Sequence, residues 1–139
     1  MGMTFYLLRR KLISKLAMAK SKAPSIHEIE KQLKQKKLLP VYYLFGEDSY
    51  SIETTLEAIE KTVSPFITSD FDKEVLYGEN QTFAGIAGLA STFPFGSEKK
   101  LIIVKQAEKL KDKKEFISYL KNPTDFTVLV FLHEGTILN

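Results

Sequence analysis

The sequence predicts an α/β domain of three layers, a parallel sheet with helices on both faces. Three apolar runs carry that expectation: Val41 to Phe45, Leu101 to Val104 and Phe126 to Leu132 lack the alternation of a half-exposed strand, so each needs cover on both sides. Between them lie segments with apolar residues at helical spacing, and strands alternating with helices join by right-handed crossovers into a parallel sheet. The 139 residues suffice for one such core and not for a second independent domain.

Taken in order, Ile26, Ile29 and Leu33 fall at i, i+3 and i+7 among Glu, Lys and Gln, a helix with one buried stripe and with Ser25 and Glu28 as its capping box. Pro40 stops that helix and admits the run Val41 to Phe45, whose two apolar faces predict a central parallel strand. A helix follows from Ser49 to Val63, capped by Ser49, burying Ile52, Leu56, Ile59 and Val63, and closed by Ser64-Pro65. Lys73 to Tyr77 is a strand, Gly78-Glu79-Asn80 a turn, and Thr82 to Ala90 a helix weakened by Gly85 and Gly88. Leu101 to Val104 is the clearest buried strand. Lys113 to Lys121 sets Phe116, Ile117 and Leu120 on one face of a short helix, and Asn122-Pro123 ends it before the strand Phe126 to Leu132.

The formal charge of +3 is concentrated at one end. Arg9, Arg10, Lys11, Lys15, Lys20 and Lys22 lie in the first 22 residues with no acid; without them, 14 basic residues face 17 acidic ones. The body over 23–139 is therefore mildly acidic and predicts weak or indirect contact with DNA. Within the basic extension over 1–22, Met1 to Ala17 has the pattern of an amphipathic surface helix or a presequence; because Met18-Ala-Lys offers a second start, an upstream extension or start-site artefact is the preferred reading of the residues before it. No apolar run approaches the length of a membrane span, and the absence of cysteine excludes disulfides, thiolate metal sites and a cysteine nucleophile.

The turn from Phe45 through Gly46-Glu47-Asp48-Ser49 stands where a nucleotide-binding α/β domain carries its phosphate loop. A working loop needs glycines that let amides approach phosphate, a lysine for the outer phosphates and a hydroxyl for magnesium. Here Glu47 and Asp48 would repel a triphosphate, and Ile52-Glu53 replaces Lys-[Ser/Thr]. The strand Leu101 to Val104 runs into Lys105-Gln106-Ala107-Glu108, where magnesium would require acidic ligands, so both halves of the catalytic signature fail together. A nucleotide-binding or ATPase domain with a degenerate phosphate loop is the alternative reading of this scaffold. His27 and His133 form no metal spacing, and no nucleophile elbow is present. Lys99-Lys100 and the cluster Lys109, Lys111, Lys113 and Lys114 have the charge to meet phosphate, but the interspersed Glu108, Asp112 and Glu115 favour a solvated face.

What remains is Thr92-Phe-Pro-Phe-Gly-Ser97, a turn with two phenylalanines flanking a proline. Its rings either fold back to plug the sheet or form a preformed hydrophobic anchor, since a Pro-Phe tip loses little entropy on docking. One division of labour sends Phe93 inward and Phe95 outward.

Three segments, Pro40-Val-Tyr-Tyr-Leu-Phe-Gly-Glu-Asp-Ser-Tyr50, Phe93-Pro-Phe-Gly-Ser-Glu-Lys-Lys-Leu-Ile-Ile-Val-Lys-Gln-Ala-Glu-Lys-Leu110 and Asn122-Pro-Thr-Asp-Phe-Thr-Val-Leu-Val-Phe131, occur in an order that resembles the N-terminal domain of the delta subunit of the bacterial DNA polymerase III clamp loader. The resemblance runs from about Ser25 to Thr136, and its middle segment is the most specific. It implies an AAA+-like, P-loop NTPase-like domain without a functional P-loop, with no cofactor, no metal and no catalysis of its own. It implies that the tip at Pro94 and Phe95 enters a pocket on the ring-shaped sliding clamp, the beta subunit, with Phe93 beside it. Some relatives carry Leu-Phe there, so Phe95 matches the pattern and Pro94 departs from it. It further implies C-terminal domains, absent here, that join the other clamp-loader subunits, so that the chain looks like an N-terminal fragment of a cytoplasmic, DNA-replication protein.

Overall fold

The computed structural model describes residues 26–35, 37–46 and 48–134. The basic extension, the Ser25–Glu28 capping box, the His27 side chain and Glu47 lie outside the described residues. Along the chain run α1 (Ile26–Lys34), β1 (Val41–Gly46), α2 (Ser49–Val63), β2 (Lys73–Tyr77), α3 (Phe83–Ala90), β3 (Lys100–Lys105), α4 (Lys113–Lys121) and β4 (Thr127–Glu134). The strands pair in parallel in the order β1-β4-β3-β2.

Helices cover both faces, which explains the apolar runs. On one face Ile29 and Leu33 of α1 and Leu56, Ile59 and Val63 of α2 pack on Tyr42, Leu44, Leu101, Ile103, Val128 and Val130. On the other, Phe83, Ile86 and Ala90 of α3 and Phe116, Tyr119 and Leu120 of α4 pack on Val41, Tyr43, Phe45, Ile102, Val104, Leu129 and Phe131. Odd and even residues of β1, β3 and β4 thus enter different cores, whereas Lys73, Val75 and Tyr77 of the edge strand β2 stay exposed.

Three expectations need correcting. Among the described residues β1 is an edge strand, with β4 and β3 central. Its unbroken burial reports two covered faces, and the count of neighbouring strands leaves no trace in such a pattern. The cap of α2 is Asp48, whose Oδ1 accepts the Ser51 amide at 3.2 Å, and Ser49 is the first helical residue. The last strand starts one residue late, at Thr127, and extends to Glu134, leaving Phe126 in the preceding loop.

The expected glycine weakness of α3 is offset by burial. Thr82 caps the helix by accepting the Gly85 amide at 3.0 Å, and Phe83, Ile86 and Ala90 enter the core. Gly88 is exposed, and a Cβ there would meet nothing within 4 Å. Gly88→Ala is therefore expected to stabilise the domain by about 0.5–1 kcal/mol, read as a higher urea midpoint with an unchanged slope. Gly78 differs: a Cβ would sit 2.2 Å from the Gln106 carbonyl oxygen, so the turn after β2 closes on the loop after β3 only with glycine.

Candidate functional site

Open α/β sheets bind ligands beyond the carboxyl ends of their strands. At that end a cavity of about 630 Å³ is lined by residues including Gly46, Ser49, Glu53, Lys105, His133 and Glu134. Several groups at this end bond within the chain. Asp48 covers the N-terminus of α2, its Oδ2 also accepting the Ser51 hydroxyl at 2.6 Å, so a carboxylate of the chain itself occupies the helix end where an anion would bind. Those bonds, from the Ser51 hydroxyl first and its amide second, hold Asp48 below the usual carboxylate range. Glu108, the lone acid after β3, accepts the Glu134 amide at 3.1 Å. The Tyr43 hydroxyl and His133 Nδ1 lie 2.7 Å apart; burial, then the charge of Glu108, pushes that hydroxyl far above the tyrosine range. Among the described residues no three His, Cys, Asp or Glu side chains gather to hold a metal. Calorimetric titration of the chain with magnesium-ATP is expected to give only the heat of dilution; a saturable isotherm would restore the nucleotide-binding reading.

The aromatic turn lies at the opposite end of the sheet, where β3 begins. Phe93 is 77% and Phe95 67% exposed, with Pro94 between them half-buried. Phe93 stacks on Phe126 with ring centroids 4.9 Å apart, and Phe95 leans on the exposed Phe71 at 5.5 Å. The inward Phe93 is thus corrected, because the backbone and not the rings faces the body. The amides of Phe95 and Ser97 both donate to the carboxylate of Asp72, the latter at 3.2 Å. Between them Gly96 takes φ 105°, in the left-handed region that favours glycine. With its donors turned inward, the loop turns its side chains out.

Further bonds fix the rest of the turn. The Ser97 hydroxyl oxygen accepts the amides of Thr68 at 2.8 Å and Ser69 at 3.1 Å. The basic pair serves main-chain carbonyls: Lys99 Nζ donates to Asp125 at 2.7 Å, and Lys100 Nζ donates to Leu89 at 2.8 Å and Thr92 at 3.1 Å. Lys109, Lys111 and Lys114 are exposed, as expected of a solvated face.

Sequence reasoning missed Asp72, Phe71 and Lys100. Asp70-Phe71-Asp72 reads as an ordinary polar turn before a strand, and no local spacing says that one of its acids is 2% exposed. Burial pushes the Asp72 carboxyl up, but the Phe95 amide, the Ser97 bonds and the charge of Lys100 outweigh it and hold the group below the usual range. A carboxyl with a lowered folded value stabilises above its unfolded value of about 3.9, and loses that contribution only as pH falls through the lowered value. Across neutral and mildly acidic pH the turn therefore stays fastened.

A parallel sheet covered on both faces, with Asp48 capping α2 beside the crevice at one end and a braced aromatic turn at the other, defines an α/β domain of AAA+-related fold. The family described as DNA polymerase III, delta subunit, matches residues 42–137. The DNA polymerase III subunit delta of Bacillus subtilis is 34% identical over 117 residues, covering 77% of this chain and 34% of that protein. The solved Bacillus subtilis DNA clamp loader delta protein superposes with a TM-score of 0.69 at 28% identity, over 81% of this chain and 37% of that one. A DNA polymerase III gamma subunit-related protein from Thermotoga maritima shares the fold, with a TM-score of 0.51 at 20% identity. This chain belongs to the DNA polymerase III delta subunit family, and it spans about a third of the length of the curated relative it matches.

Proposed function

We propose that this chain is the part of a clamp-loader delta subunit that grips the ring-shaped sliding clamp and helps to open it during DNA replication. Phe95 is the principal anchor, Pro94 shapes the tip, and Phe93 widens it. The domain acts without catalysis: energy for the loading cycle comes from ATP bound by partner subunits, which it joins through C-terminal domains of the longer protein. Any contact of this domain with DNA is weak or indirect. No helix among the described residues is long and apolar enough to cross a membrane, and the reading places the work in the cytoplasm.

The observation that carries this reading is the tip itself. Two largely exposed aromatic rings stand on a turn whose backbone is already fastened, so docking loses little conformational freedom. Exposed large apolar groups that are held rigid are what a partner's pocket recognises. Titrating the full chain into a purified bacterial sliding clamp tests it: saturable one-to-one binding per clamp site is expected, and its absence at tens of micromolar would reject the reading.

A further inference from the structure

We propose that Asp72 is a positioning residue for the docking tip, its buried carboxylate holding the turn over 94–97 in the shape that presents Phe95. The inference rests on the clamp-gripping reading and adds to it the device that makes the tip rigid.

The geometry makes the sheet itself the reference for the loop. Lys73 pairs with Leu101 across β2 and β3, so Asp72 and Lys100, each one residue earlier, stand side by side at the same end of adjacent strands. Both are buried, at 2% and 7% exposure. Asp72 takes the amides on either side of Gly96, while Lys100 takes the carbonyls of Leu89 and Thr92, at the end of α3 and the start of the loop. Opposite charges at the same end of neighbouring strands thus fasten opposite ends of one turn, each through main-chain groups of the turn or of the helix end before it. An apolar residue at 72 would avoid the cost of burying a charge, but would leave two amides without an acceptor. Phe71, the residue before, meets the Phe95 ring, so the same short turn supports both backbone and ring of the tip.

The test compares Asp72→Asn, Phe95→Ala and the double variant in the full chain. Asparagine keeps the shape but offers one acceptor oxygen and sets a donor against the second amide. Clamp affinity is expected to fall about tenfold in Asp72→Asn, from the freedom returned to the loop. Amide exchange at Phe95 and Ser97 should accelerate while Ile103 and Val130 in the core stay protected. In the Phe95→Ala background the same substitution should change affinity little, because a residue acting through Phe95 has nothing left to position. Unchanged exchange at Phe95 and Ser97 would overturn the proposal, as would an equal loss of affinity in both backgrounds. Should Asp72→Asn fail to fold, Gly96→Ala loosens the same turn from an exposed position whose Cβ meets nothing within 4 Å, and it must show the same dependence on Phe95. If Phe95→Ala itself leaves clamp binding intact, the clamp-gripping reading fails, while the exchange experiment still decides whether Asp72 holds the turn.

Discussion

Phe95→Ala is expected to weaken binding to the sliding clamp at least tenfold while leaving the domain folded. The ring is two-thirds exposed, and among the described rings its contact is with Phe71, itself exposed, so its removal opens no cavity in either core. An aromatic that fills a partner's pocket commonly accounts for about 2–4 kcal/mol on truncation, and each 1.4 kcal/mol or so is tenfold in affinity. The urea midpoint should stay within error of the parent. An unchanged dissociation constant would remove Phe95 from the interface, and a lower urea midpoint would assign the ring to the fold.

Phe131→Ala should produce the reverse: a large loss of stability at a residue far from solvent. Phe131 is fully buried on the central strand β4, where Phe116 meets it edge-on at 5.2 Å, Tyr43 at 5.6 Å and Phe83 at 5.7 Å. β1, β4, α3 and α4 thus converge on one ring. Truncating such a residue costs about 3–5 kcal/mol in lost transfer energy and residual cavity, much of the 5–15 kcal/mol that holds a typical domain together. Equilibrium urea denaturation measures it directly. A loss below about 1 kcal/mol would mean that these rings do not pack as a unit.

The two variants together separate scaffold from handle, and the sequence distinguishes these parts unequally. The scaffold is legible because burial on two faces forbids alternation, so β3 and β4 announce themselves in Leu101 to Val104 and Phe126 to Leu132. The place of β1 in the sheet is not legible, since edge and central strands with covered faces share one pattern. The departure of Glu47, Asp48 and Ile52-Glu53 from a phosphate-loop sequence is legible from residue types alone, but the capping of α2 by Asp48 is not. Phe95 is visible as an apolar residue in a turn. Its orientation is not, because it depends on Asp72, a residue 23 positions earlier that reaches the turn only through the pairing of β2 with β3. Lys100 hides for a similar reason, reading as half of a surface basic pair while its ammonium closes the end of α3.

The central claim is one of place: the proposed partner meets the amino-terminal end of the sheet, away from the crevice at the carboxyl ends of its strands. Site-specific photo-cross-linking tests it most directly, with benzoylphenylalanine set in turn at Phe95 and at Tyr50, an exposed ring at the start of α2 beside the crevice. The expected result is a covalent adduct with the sliding clamp from position 95 and none from position 50. An adduct from position 50 with none from 95 would contradict the claim and put the partner at the opposite end of the domain.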